Sequence, residues 1–177
     1  TIERQGVREP YTLALLGEHN ADNLVLIVAL LRDQGFSAEL INIALRSMPQ
    51  IAHRLERRDL AGYTLLDDAY NSNVIGFTSA LKALDALGKE KGGRRVLVTP
   101  GMAELGAQHD AQHAEIGALA GDCVDLLLAV RADRIPTLVD AARAKGAQVM
   151  PVASFAEARA WIESQAQPKD VILLEND

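Results

Sequence analysis

The segment Leu65-Leu66-Asp67-Asp68-Ala69-Tyr70-Asn71-Ser72-Asn73 places two carboxylates, a phenol and two amides in one turn after an apolar run. Carboxylates at a strand end accept hydrogen bonds from ribose hydroxyls or lie near a metal. Asn amides read a base edge, and a Tyr ring lies against one. Asp and Asn also build turns and cap helices, so a plain structural role stands beside the chemical one. Gly17-Glu18-His19-Asn20-Ala21-Asp22-Asn23 marks a helix start, whose free N–H groups attract anions and polar ligands. Asn20 and Asn23, three apart, share one side of that helix, although a cap plus a surface Asn explains them equally. His53-Arg54-Leu55-Glu56-Arg57-Arg58 holds three arginines in five residues. Guanidinium groups match phosphate geometry. A solvated loop with Glu56 and Asp59 as partners satisfies them too, so at most one is expected to be functional. In Pro100-Gly101-Met102-Ala103-Glu104-Leu105-Gly106 the glycines permit tight backbone paths, and Glu104 can hold a substrate ammonium. A plain strand-to-helix loop reads the same way.

Other motifs point away from chemistry. His109 and His113 have metal-ligand spacing, but no glutamate occupies the HExxH position and no third ligand is evident, so no metal site is expected. Cys123 has no nearby base and reads as an inert buried thiol. Gly88-Lys89 lacks the earlier glycine and the following Ser or Thr of a phosphate loop.

The elements that must carry these groups follow from periodicity and punctuation. Residues 12–16 (TLALL) read as a strand, followed by a helix from Asn20 stopped by Gly35, then a helix capped by Ser37. Residues 63–66 read as a strand and 74–87 as a helix. The charged, glycine-rich stretch 88–93 (GKEKGG) reads as a domain boundary, dividing the chain into 1–90 and 91–177. Beyond it, strands at 95–99, 124–130, 148–150 and 171–174 alternate with helices at 110–119, 135–145 and 154–164, the last opened by a Ser154/Glu157 capping box. This alternation predicts an α/β fold: a mostly parallel sheet with helices on both faces. Ligands bind such sheets beyond the carboxyl ends of the strands, which makes the turn after Thr99 a natural site.

Bulk properties narrow the class. The 177 residues are 49% hydrophobic and 24% charged, a globular balance. Aromatics at 4% leave the packing to aliphatic residues, as suits strands covered by helices. The net charge of −6 argues against a nucleic-acid surface. One cysteine precludes an internal disulfide, and no apolar run is long enough to span a bilayer. No GxGxxG follows the first strand of the second half, so dinucleotide binding is not expected.

Three segments, GEHNADN at 17–23, LLDDAYNSN at 65–73 and VLVTPGMAELG at 96–106, occur in an order that resembles the Mur ligases, the cytoplasmic enzymes that add amino acids to the peptidoglycan precursor. The pair DDAYNSN and GMAELG is most similar to the branch that adds D-alanyl-D-alanine. The chain departs from that branch at Pro100-Gly101-Met102, where many members read GDM. The resemblance implies that 1–90 is the latter part of a central ATPase domain and that 91–177 is a C-terminal, Rossmann-like domain. It further implies that the uridine-nucleotide domain and the phosphate loop precede the first residue. Motif by motif, it places Asn20 and Asn23 by the nucleotide, Arg54 at the ATP phosphates, Asp68 on the ribose, and Tyr70 and Asn71 near the adenine. Gly101, Met102, Glu104 and Gly106 would face the incoming dipeptide. The implied cosubstrate is ATP with Mg2+, and the implied partners are a UDP-muramoyl peptide and D-alanyl-D-alanine. An apolar surface left by the missing part is consistent with a dimer of the chain. The rival expectations are a folate- or cyanophycin-type ligase of the same superfamily and a non-catalytic Rossmann-like binding module.

Overall fold

A computed structural model describes residues 1–4, 6–70 and 72–176, and the chain forms two compact units, Thr1–Ile51 and Ala52–Asp177. In the first, β1 (Ile2–Arg4) and β2 (Val7–Glu9) pair as an antiparallel hairpin, followed by α1 (Glu18–Asp33) and α2 (Ala38–Arg46). Ser37 caps α2 as its sequence predicts, accepting from Leu40 N–H. Val28, Ile41 and Leu45 form a small core that Tyr11, Leu13 and Met48 help to close. Residues 12–16 are not a strand. Thr12 N–H donates to the Asn42 side chain and Ala14 N–H to Leu45 O, so this apolar run lies along α2 instead of a sheet neighbour. Leu26, Ile27, Leu30 and Ile43 remain exposed.

The second unit is built on a six-stranded sheet. Its strands are β3 (Glu56–Asp59), β4 (Tyr63–Asp68), β5 (Arg95–Thr99), β6 (Leu126–Val130), β7 (Gln148–Val152) and β8 (Asp170–Glu175), in the order β3-β4-β8-β5-β6-β7. All pairings are parallel except the β3–β4 edge. The crossover helices are α3 (Val74–Lys91), α4 (His109–Cys123), α5 (Pro136–Lys145) and α6 (Phe155–Gln165). Side chains alternate across each strand. Val96, Val98, Leu128 and Ile172 turn toward Ala158 and Ile162 of α6, whereas α3 packs on β8 and β5 from the other side and joins α4. Gly117 lets α4 and α5 touch closely, since a Cβ there would overlap the Leu138 backbone. The predicted capping box forms, with Ser154 Oγ accepting from Glu157 N–H and the Glu157 carboxylate turned back to Ala153 N–H.

Two further features depart from the sequence expectation. The compact units meet at 51/52, not at 90/91, because β4 pairs parallel to β8 along its whole length and α3 runs unbroken to Lys91 before the left-handed Gly92. The glycine-rich stretch is thus a helix C-cap inside one unit. The arginine segment is an edge strand, not a loop, with Arg57 paired to Asp59 at 3.0 Å and Arg58 to Glu56 at 2.6 Å. No described helix is long and apolar enough to cross a membrane.

Candidate functional site

β4, β8 and β5 end side by side at one edge of the sheet, at Asp68, Glu175 and Thr99. The last strand in sequence lies between two earlier ones, and α/β sheets bind ligands beyond the carboxyl ends of their strands.

Consecutive strand residues face opposite ways, so the two aspartates divide their work. Asp67 is 4% exposed and turns to the α6 side. It meets His53 Nδ1 at 3.0 Å and the Arg58 guanidinium at 3.2 Å, bracing β3 and the turn before it. It also lines a cavity of about 430 Å3 with Arg58, Tyr63, Phe155 and Arg159. Asp68 faces the α3 side, where its Oδ1 accepts from Leu55 N–H at 2.9 Å.

The turn ahead of β3 is strained. His53 (φ 58°) and Leu55 (φ 51°) both lie in the left-handed region, unusual for residues with a Cβ. The surroundings hold them there: Leu55 is buried, its N–H is fixed by Asp68, and His53 O accepts from Tyr70 N–H. Arg54, between them, is driven outward with its Cζ 4.0 Å from the centre of the Tyr70 ring. That ring is 66% exposed, so a guanidinium stacks on an aromatic face that is open to solvent.

Across the edge, Ser72 Oγ donates to Glu175 Oε1 at 2.6 Å. Asn176 N–H donates to Asp68 O, and its side-chain amide donates to Gly101 O at 2.8 Å. Gly101 has φ 81°, and a Cβ there would come within 2.5 Å of His113 Nε2 and of Ile135. Met102 N–H donates to His113 Nε2 at 2.9 Å, so His113 Nδ1 carries the proton and donates to His109 O. Burial first, then His109, pushes the His113 pKa down, keeping the ring neutral as this pairing requires. Cys123 is a buried thiol that burial pushes up.

Of the sequence-predicted residues, Arg54, Asp68 and Tyr70 converge, and Gly101 is tied to the same edge through Asn176. Met102 is buried, while Glu104, on the loop, and Gly106, at the start of a short 3-10 helix, are exposed and have positive φ. Asn71 lies outside the described residues. Asn20 and Asn23 belong to the first unit, where the Asn20 amide donates to Leu16 O at 2.6 Å and Asn23 is exposed. Sequence reasoning passed over His53, Ser72, Glu175 and Asn176. An ionisable residue closing the apolar run of β8 was the available signal.

The family described as "Mur ligase, glutamate ligase domain" matches residues 53–175. The chain is similar to UDP-N-acetylmuramoyl-tripeptide--D-alanyl-D-alanine ligase of Escherichia coli (strain K12), at 38% identity over 109 residues, 61% of this chain and 23% of that protein. A UDP-N-acetylmuramoylalanyl-D-glutamyl-2,6-diaminopimelate--D-alanyl-D-alanyl ligase structure from Acinetobacter baumannii shares the fold (TM-score 0.72, 23% identity), with 94% of this chain and 35% of that one covered. So does a MurF ligase from Thermotoga maritima in complex with ADP (TM-score 0.71, 17% identity, 92% and 36% covered). The chain thus spans only about a quarter to a third of the length of these relatives.

Proposed function

We propose, since this chain belongs to the Mur ligase family, that it is the C-terminal portion of an ATP-dependent ligase that joins D-alanyl-D-alanine to a UDP-N-acetylmuramoyl peptide. The observation that carries this reading is the convergence of Arg54, Tyr70 and Asp68 at the carboxyl ends of the sheet strands. A nucleotide needs an acceptor for its ribose hydroxyls, a flat surface for its base and a cation for its phosphates. Asp68, Tyr70 and Arg54 supply these three in one place. The curated relative's name supports the substrates, and the ADP of the Thermotoga structure supports the nucleotide.

In this reading the peptide's terminal carboxylate is activated as an acyl phosphate, and the dipeptide amine displaces phosphate. Asp68 holds the ribose, Arg54 balances phosphate charge, and Tyr70 with Asn71 lies against the adenine. The loop from Gly101 to Gly106, with Glu104 exposed on it, faces the dipeptide ammonium. Such a site works by positioning and by charge stabilisation more than by covalent chemistry. Magnesium bound through phosphate oxygens and waters needs few protein ligands. Among the described residues there is no group of three or more His, Cys, Asp or Glu that could hold a metal ion.

The test is phosphate release from ATP by the full-length protein with UDP-muramoyl tripeptide, with and without D-alanyl-D-alanine. Release that depends on the dipeptide is expected, and Arg54→Ala should lower kcat/KM by roughly tenfold, the scale of one charge-assisted contact. Release that depends on another amine would change the substrate, and no release with any amine would sink the reading. The 177-residue chain alone, which contains no G-x-x-x-x-G-K-[ST], should not turn over ATP.

A further inference from the structure

β4 and β8 run parallel with Asp68 and Glu175 in register, so both side chains leave the same face of the sheet from adjacent strands. Glu175 is completely buried, and its Oε1 is taken by the Ser72 hydroxyl. Its Oε2 is also buried, and no donor among the described residues reaches it. The polar neighbour left to it is the Asp68 carboxyl, and two carboxyl groups can pair only when one keeps a proton. Two charges side by side in a dry site would meet both a desolvation cost and mutual repulsion.

Among the described residues no cation acts on Glu175. β8 packs against β4, β5 and α3. On β4, Asp67 faces the other way. On β5, Arg95 sits at the far edge with Asp85 and Asp125. On α3, Lys82, Asp85, Lys89, Glu90 and Lys91 follow the second turn, and Asp85 and Lys91 are engaged at that far edge. His113, under the Gly101 turn, spends both ring nitrogens on Met102 and His109.

We propose that Asp68 and Glu175 share one proton, with Glu175 as the acid, and that Glu175 is thereby a positioning residue for the carboxylate that binds the nucleotide. The second half rests on the reading of Asp68 as ribose acceptor. Burial, then the Asp68 charge, pushes the Glu175 carboxyl up to about 9. Asp68 then carries one negative charge held from two sides, by Leu55 N–H and by the Glu175 acid. The next residue of β8, Asn176, ties the same strand end to Asp68 O and Gly101 O. The acid and the two turns are therefore one hydrogen-bonded unit.

The experiment needs no nucleotide. Side-chain carboxyl 13C shifts of the 177-residue chain are followed from pH 5 to 10, together with the Leu55 amide proton that reports on Asp68. Glu175 should stay protonated at pH 7 and titrate in the alkaline range, and the Leu55 amide should inflect at the same pH. In Asp68→Asn the midpoint should fall by roughly one pH unit or more, since the like charge is gone. In Glu175→Gln, whose amide keeps a donor toward Asp68, the Leu55 inflection should vanish while its shift at pH 7 is retained. A Glu175 carboxylate ionised at pH 7, or a midpoint unmoved by Asp68→Asn, overturns the shared proton. A Leu55 amide that ignores the Glu175 titration overturns the positioning role. ADP added to the same samples tests the nucleotide reading separately, because its failure to bind leaves these titrations unchanged.

Discussion

A buried acid that keeps its proton when the unfolded chain would lose it makes folding depend on pH. The unfolded Glu175 carboxyl ionises near its ordinary value of 4.5, whereas the folded one is pushed up to about 9. Between these values the folded state binds one more proton than the unfolded state, so raising pH favours unfolding across that window and has no further effect above it. The slope contributed by one such group is at most about 1.4 kcal/mol per pH unit. Glu175→Gln cannot ionise in either state. It is expected to be more stable than the parent at pH 7–8 and to lose this slope, as urea unfolding at a series of pH values would show. His113 works in the opposite sense. Its pKa is lowered by burial, so stability declines as pH falls below the ordinary 6.5. The two buried groups on this edge therefore restrict it to a middle pH range from opposite sides.

At the scale of elements, the site depends on turns whose conformations are fixed by what lies beneath them. The Gly101 turn shows this: its φ of 81° suits glycine, and His113 and Ile135 leave no room for a side chain. Gly101→Ala should cost about 2–4 kcal/mol in thermal unfolding, from backbone strain plus the overlap. It should also perturb the His113 ring 15N shifts, because Met102 N–H and Nε2 can no longer meet; unchanged shifts would contradict the geometry. Much of this was legible beforehand. β5, β6, β8 and α3 to α6 follow from apolar runs, caps and stop glycines, and the candidates Asp68, Tyr70 and Arg54, named from two separate segments, lie together in the structure. β3 was not legible because an edge strand with one neighbour can carry Glu56-Arg57-Arg58-Asp59, which has no apolar alternation. Residues 12–16 had the composition of a strand but found helix α2 as their hydrogen-bonding neighbour. Ser72 and Glu175 meet from positions 103 residues apart, and no local pattern reports which strand β8 will enter between.

At the scale of the whole molecule, the decisive fact is where the sheet closes. All six strands, the four helices that cover them and the turns at Arg54, Tyr70 and Gly101 lie within Ala52–Asp177. Among the described residues the first unit contributes no strand to this sheet, and its strands β1 and β2 pair with each other. Residues 52–177 should therefore fold alone, with a cooperative thermal transition and the near-ultraviolet signal of a packed core. Residues 91–177, cut where glycine composition alone suggests a boundary, would lose β3, β4 and α3. That cut strips β8 of one strand neighbour and of α3, which packs on it, and uncovers Val171 and Leu173, which are fully buried as are Phe77, Leu81 and Leu84 of α3. Removing several large buried side chains at several kcal/mol each exceeds the 5–15 kcal/mol that holds an ordinary domain together. The shorter piece is expected to aggregate or to bind hydrophobic dyes without a sharp melt. A cooperative transition from 91–177 would show that β8 needs no neighbour on its β4 side, and would separate Asp68 from the folding unit that carries Gly101.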